Sequence, residues 1–287
     1  MHSIALYNNK GGVGKSTLTF FMADFLASVR VAGRPLRVLV MDLDAQGSSS
    51  TALLGEELAR QARAEARTIG HLAMQLAQGR QPDLRPFLLL RPSSLRGHPP
   101  LPAVTVLLPE RESIFNFDAN PLHTLTLFAR TLKPLLLPHF DIVLLDLPGN
   151  LDERHLLAVN ALVMSDSLVI PMEPTRLALH ALPETLRMIR YAQEHGQGCP
   201  VCLGILLNRT DKRSRQFRLH APAIVRLLQE VQIPCFNNYL PNAPELANAT
   251  DDTLAFTSLK DRYGSYYPHV KKVVSELFDR WQTRMPA

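Results

Sequence analysis

Apolar residues in this chain collect in short, nearly unbroken runs: Ser3–Tyr7, Arg37–Asp42, Val104–Leu108, Asp141–Asp146, Ser167–Pro171 and Val201–Leu207. Runs this short and this rich in β-branched residues and leucine read as strands buried on both faces. A weaker run lies near Cys235–Tyr239. Between them the apolar spacing becomes helical and predicts helices over Lys15–Arg30, Thr68–Gln78, Pro121–Leu137, Asp152–Met164, Leu177–His195, Arg215–Val231 and Gly264–Arg280. Strands alternating with helices predict an α/β fold, a doubly wound, mostly parallel sheet with helices on both faces. We read residues 1–287 as a single domain without internal repeats. One irregular stretch interrupts it, Gly79–Pro102, rich in proline and arginine. Its apolar patch Phe87–Leu90 would pin a long surface excursion to the core; a partner-docking segment is the other reading.

Composition changes this picture little. With 287 residues, 46% of them hydrophobic and 20% charged, the chain suits one large core. Three cysteines are too few for a disulfide framework and fit a reducing compartment. The opening MHSIALYNNK lacks the make-up of a secretory leader, and no run approaches the roughly 20 apolar residues of a membrane span, so a cytoplasmic protein is expected. The net charge of +5 permits a polyanionic partner without requiring one.

The chemistry is concentrated after the first strand. Ser3–Tyr7 runs into Asn8-Asn9-Lys10-Gly11-Gly12-Val13-Gly14-Lys15-Ser16-Thr17 and then into a helix. A strand, a glycine loop and a helix N-terminus together form an anion site, because glycines let backbone N–H groups converge and the helix dipole adds positive potential. Lys15 is placed to reach the β- and γ-phosphates and Ser16 to ligate Mg²⁺. Two strand ends supply carboxylates that can face the same crevice: Asp42 and Asp44 in MDLDAQG, and Asp146 in DIVLLDLPG, where four apolar residues precede the acid. Helix capping would also account for Asp42 and Asp44.

Lys10 and Lys15 together in KGGVGKS resemble the deviant Walker A motif of the ParA/MinD superfamily of P-loop ATPases. VLVMDLDAQG resembles that family's VxxxDxDPQG, and NALVMSDSLVIPMEPTRLALHALPETL its NALxAADxxIPVQPxxxALEGL. The likeness runs from residue 2 to about 212 and fades over Gly79–Pro102 and the last fifty residues. It implies ATP and Mg²⁺ as cofactors and a dimer when ATP is bound. Lys10 would cross to the partner subunit's phosphates, Asp44 would orient the attacking water, and Asp42 and Asp146 would support the metal. A cation delivered in trans is worth about 10³–10⁵ in rate at most. The family often has Asp-x-Pro-Pro where this chain has Pro148-Gly149-Asn150, which leaves the conformation of that loop open.

Asp146-Leu147-Pro148-Gly149 with Asn208-Arg209-Thr210-Asp211 also fits the DxxG and NKxD loops of GTPases. Asn208 is a base-contact candidate under either reading, whereas Asp211 would select guanine. Pro241 and Asn242 fall where a later segment of the family packs on the base. Within the superfamily the closest likeness is to ParA-type partition ATPases, which implies non-specific DNA as matrix, a ParB-like or cargo adaptor that stimulates slow hydrolysis, and a nucleoid-associated protein. Lys212, Arg213, Arg215, Arg218, Lys271 and Lys272 are the candidate phosphate contacts, although a solvated basic helix explains them too. Cys199-Pro200-Val201-Cys202 keeps an Mrp-type iron–sulfur carrier open. The apolar spacing of the terminal helix keeps open a MinD-like membrane anchor, though its acids favour a packed helix.

Overall fold

In the computed structural model, residues 1–92, 103–120, 123–251, 253–254 and 256–283 are described. The strands are β1 (His2–Leu6), β2 (Arg30–Val31), β3 (Arg34–Pro35), β4 (Val38–Asp42), β5 (Leu89–Leu90), β6 (Val104–Leu107), β7 (Ile142–Asp146), β8 (Ser167–Met172) and β9 (Val201–Leu207). The helices are α1 (Lys15–Ser28), α2 (Ser48–Leu54), α3 (Glu56–Ala64), α4 (Ile69–Ala77), α5 (Arg111–Asp118), α6 (Lys133–Leu136), α7 (Leu156–Met164), α8 (Arg176–His195), α9 (Arg215–Glu230), α10 (Pro244–Asn248), α11 (Leu259–Tyr263) and α12 (Tyr267–Gln282).

Each strong apolar run becomes a strand of one sheet, ordered β5-β6-β4-β7-β1-β8-β9 and parallel except for β5. Successive side chains on a strand point to opposite faces. Ala5 enters one core with α4, α5, α7, α8 and α9, while Ile4 and Leu6 enter the other with α1, α2, α3, α10 and α12. Both faces are therefore covered, and each fully buried leucine or isoleucine contributes roughly 1.5–3 kcal/mol. Parallel strands also bring their carboxyl ends to one edge, where Asp42 lies in register with Asp146 and Asp146 with Leu6.

Differences from the sequence reading have local causes. Helix α1 stops at Ser28 because Ala32 and Gly33, both with positive φ, turn β2 back onto β3 as a two-residue hairpin requires. The helix expected over Pro121–Leu137 begins, within the described residues, as a π-helical turn at Phe128–Leu132; residues 121–122 lie outside them. Pro134 has no N–H to return to the carbonyl four residues earlier, which disfavours regular α-helical bonding there. Cys235–Tyr239 makes only a bridge to β9 at Ile205, with Phe236 N–H donating to the Ile205 carbonyl at 2.9 Å. In the proline-rich excursion, Leu84, Phe87 and Leu89 are buried and β5 pairs antiparallel with β6, as expected of a segment pinned by its apolar patch. Residues 93–102 of that excursion lie outside the described ones.

A buried ionic knot ties the chain's end to α1. Asp24 on α1, fully buried, accepts from Arg91 Nη1, from Arg262 Nη1 at 3.0 Å and from Tyr263 Oη at 2.8 Å. Removing one partner of such a cluster strands the others without an acceptor. Asp24→Ala is expected to cost about 3–5 kcal/mol of stability in urea unfolding; an unchanged midpoint would show that the knot does not hold these segments.

Candidate functional site

The glycine loop wraps the carboxyl end of β1. Gly12 and Gly14 take positive φ of 77° and 85°, and Gly14 immediately precedes α1. Left-handed conformations cost a side-chain-bearing residue energy that glycine avoids. Gly11 and Gly12 have open space where a side chain would begin, so their backbone faces the cleft. Val13 is fully buried and anchors the loop from beneath. Lys15, only 6% exposed, folds over the loop and donates from Nζ to the Asn8 carbonyl at 3.2 Å and the Lys10 carbonyl at 3.3 Å. Burial draws its pKa below the ordinary lysine value, with Asp146 and Asp44 pulling the other way.

The carboxylates divide the work. Asp42, expected in the metal shell, has its oxygens occupied: Oδ1 accepts from Asp44 N–H at 3.1 Å, and Oδ2 from Ser50 N–H at 2.9 Å and Ser50 Oγ at 2.8 Å. It thereby fixes the Asp44 turn and the first turn of α2. Asp146 is equally buried, yet neither oxygen has a hydrogen-bond partner, and Ser49 Oγ is also unpartnered. Desolvation raises the pKa of Asp146 first, then the neighbouring Asp42; Ser16, Ser49 and Lys15 offset this only in part. An unsatisfied buried carboxylate with hydroxyls beside it is the donor set a hard divalent cation takes. The residues present therefore fit Mg²⁺ held at Ser16 and Asp146.

A cleft of about 410 Å³ opens from this point. Gly11, Gly12, Gly14, Lys15, Ser16, Thr17 and Asp44 line one end, and Asn208, Pro241, Asn242, Ala243 and Leu246 the other. The structure thus gathers nearly every candidate nucleotide residue into one space. Asn208 donates from Nδ2 to the Val13 carbonyl at 2.7 Å and packs so closely on Gly14 that a Cβ there would stand 2.4 Å from it. Thr210 N–H donates to Leu240 and Asn242 N–H to Thr210, which draws the later segment over the cleft. Val13, buried beneath the loop, and Asp211 do not line it; Asp211 is exposed and accepts from Arg213 N–H at 2.9 Å.

The sequence reading missed several residues at this site. Gly149 packs on the phosphate loop, where a Cβ would lie 3.0 Å from Gly11 N, and Asn150 N–H donates to the Asn9 carbonyl at 2.7 Å. That resolves the Pro148-Gly149-Asn150 departure: the smaller residue lets the loop rest on the glycines. Glu173, directly after β8, faces Lys10 and Arg209, with Lys10 Nζ at 3.7 Å. Its position at a strand's carboxyl end was the available signal.

Other candidates are dispersed. Lys212, Arg213, Arg215 and Arg218 are exposed around the start of α9, and Lys271 and Lys272 are exposed on α12 beside Glu276 and Asp279. Because α9 and α12 pack on opposite faces of the sheet, these are two basic groups rather than one face. Cys199 and Cys202 sit at the start of β9, about 20 Å along the strand from its cleft end. Among the described residues no group of three or more His, Cys, Asp or Glu could hold a metal ion. The apolar face of α12, Val270, Val273, Val274, Leu277 and Trp281, is buried in the core, and no described helix is long and apolar enough to cross a membrane.

With this geometry in hand, comparison places the chain among known proteins. Residues 1–198 match the model of the family described as AAA domain. The chain belongs to that family. It is 28% identical over 211 residues to the sporulation initiation inhibitor protein Soj of Bacillus subtilis (strain 168), covering 74% of each chain. The chromosome partitioning protein ParA of Myxococcus xanthus (strain DK1622) is 28% identical over 211 residues, covering 74% of this chain and 66% of that one. The chain is thus a distant homologue of the Soj/ParA ATPases. The solved structure of pNOB8 ParA matches with a TM-score of 0.75 at 20% identity over 99% of both chains. Cobyrinic acid a,c-diamide synthase from Mycobacterium smegmatis, solved with ADP and magnesium, matches at 0.68 and 19% over 100% of this chain and 98% of that one. These likenesses show the shared P-loop ATPase fold.

The buried acid pair has a pH consequence for this AAA-family protein. Because the folded state holds the Asp146 proton above the ordinary carboxylate value, it binds more protons than the unfolded chain once pH exceeds about 4, and stability falls as pH rises toward the raised value. Asp146→Asn is expected to flatten that decline in melting temperature without nucleotide; an identical slope in both proteins would contradict it.

Proposed function

We propose that the chain is an Mg-ATP-dependent switch of the ParA kind: two ATP-bound copies associate, bind DNA without sequence preference, and are reset by slow, partner-stimulated hydrolysis. The observation that carries this reading is the cleft that joins the glycine loop, Lys15, Ser16 and Asp44 at one end to Asn208, Pro241 and Asn242 at the other, with the buried, unsatisfied Asp146 next to Ser16 and Lys15. Mg²⁺ bound with ATP would neutralise charge developing on the phosphates. Lys15 and the loop N–H groups hold the phosphates, Ser16 and Asp146 the metal, and Asp44, steadied by Asp42, orients water. Placement and charge neutralisation supply most of the catalysis in such sites. Asn208, Pro241 and Asn242 hold the base, and the position of Asp211 outside the cleft favours adenine over guanine.

Lys10 acts across the dimer in this reading. The relatives Soj and ParA support a partition or positioning role, and the pNOB8 ParA structure bound to nonspecific DNA supports a polyanionic matrix. The exposed cations at the start of α9 are the phosphate contacts, with Lys271 and Lys272 secondary because acids adjoin them. The adaptor that stimulates turnover would be a ParB-like or cargo-bound protein, and the setting cytoplasmic and nucleoid-associated.

Sizing the protein with ATP, ADP and GTP, with and without non-specific duplex DNA, tests this directly. Dimerisation with ATP alone among the three supports it; a monomer under every condition defeats it. Lys15→Ala should abolish nucleotide binding, whereas Lys10→Ala should bind ATP as a monomer yet lose dimerisation and hydrolysis. Asp44→Ala should accumulate an ATP-bound dimer, an assignment that rapid turnover would remove. Four phosphate contacts per subunit predict a slope of log affinity against log salt of about −3 to −4 per subunit, and a flat response would rule out phosphate contacts.

A further inference from the structure

Glu173 follows the end of β8 beside the phosphate loop, where its carboxylate is shared by two cations. Lys10 Nζ lies 3.7 Å from Oε2 and Arg209 Nη1 3.2 Å from Oε1. Arg209 also donates from Nη1 to the Gly12 carbonyl at 2.7 Å, so the trio is fastened to the phosphate loop itself. The Lys10 and Glu173 side chains are 24% and 20% exposed, enough shelter to strengthen the pair without burying it.

We infer that Glu173 is a positioning residue for Lys10, holding the lysine on its own subunit's loop so that forming the dimer requires breaking this pair. The inference rests on the proposed trans role of Lys10. A lysine held by a carboxylate in cis is not free to reach phosphates bound by another copy. Phosphates arriving beside Gly12 and Lys15 would repel the Glu173 carboxylate and attract both cations. Nucleotide binding thereby loosens the restraint and couples ATP to assembly. A partly exposed pair is weak taken singly, but each dimer must open two of them.

The test is sedimentation of wild type, Glu173→Gln, Glu173→Asp, Lys10→Ala and the double variant Glu173→Gln/Lys10→Ala over a range of protein concentrations. Mg²⁺ and a non-hydrolysable ATP analogue are present, so that turnover plays no part, and melting is recorded without nucleotide. Glu173→Gln is expected to lower the concentration of half-dimerisation by about three- to twentyfold, the effect of two partly exposed pairs. Glu173→Asp should remain near wild type, and the double variant should stay monomeric. Glu173→Ala, which removes the carboxylate with a different shape, should repeat the shift if the glutamine variant melts early. An unchanged threshold in Glu173→Gln and Glu173→Ala, with Lys10→Ala monomeric, overturns the inference and leaves the trans lysine standing. A raised threshold also overturns it, by placing Glu173 in the dimer contact. Wild-type dimerisation by Lys10→Ala overturns the trans role and, with it, this restraint.

Discussion

Two carboxylates on neighbouring parallel strands, Asp42 and Asp146, are brought into register and fully buried. Their mutual repulsion and desolvation constrain everything built on that edge of the sheet. The fold answers the two charges differently. Asp42 is satisfied internally by the Ser50 hydroxyl and by backbone N–H groups of Asp44 and Ser50, which locks the turn carrying Asp44. Asp146 is left unsatisfied beside Ser16, Ser49 and the Lys15 ammonium. In the proposed reading, Mg²⁺ held at Ser16 and Asp146 would relieve that imbalance.

The loops around this edge are held in place by contacts to the backbone of the phosphate loop. Gly149 and Asn150 rest on Gly11 and Asn9, Asn208 rests on Gly14, and Thr185 of α8 accepts from Asn9 N–H at 3.0 Å. Each contact joins the phosphate loop to a segment from a different strand end. In the proposed switch, a change at the phosphates would be felt directly in the loop after β7, in the segment after β9 and in α8. Arg187 on α8 in turn pairs with Glu153 and Glu184, so the loop after β7 and α8 are also linked through charges. Such a network has the parts that a nucleotide-sensitive conformational change needs.

The same architecture limits how the outer surfaces can act. Helix α12 gives its apolar face to the core against α1, and the CxxC pair lies at the far end of β9 from the cleft. Neither a membrane-anchoring helix nor an iron–sulfur carrier draws support from these placements. The basic residues at the start of α9 remain exposed close to Asn208 in sequence, and the cation of Lys212 lies 4.2 Å over the Tyr239 ring. A polyanion on this surface would therefore sit near the segment that closes the cleft.

The strands, their parallel order of burial and the phosphate loop were written in local patterns, because an unbroken apolar run and a glycine loop between strand and helix owe their form to neighbouring residues. Lys15, Ser16 and Asp146 could be named as candidates for the same reason. The short helices α2, α3, α5, α10 and α11 were not, since elements of five to nine residues take their stability from the surfaces they cover rather than from their own repeat. The division of labour between Asp42 and Asp146, the seat of Gly149 on Gly11, and the grip of Glu173 on Lys10 and Arg209 arose only when the sheet set distant strand ends side by side. Residues 10, 173 and 209 are far apart along the chain, and only the folded sheet brings their charges to within a few ångströms.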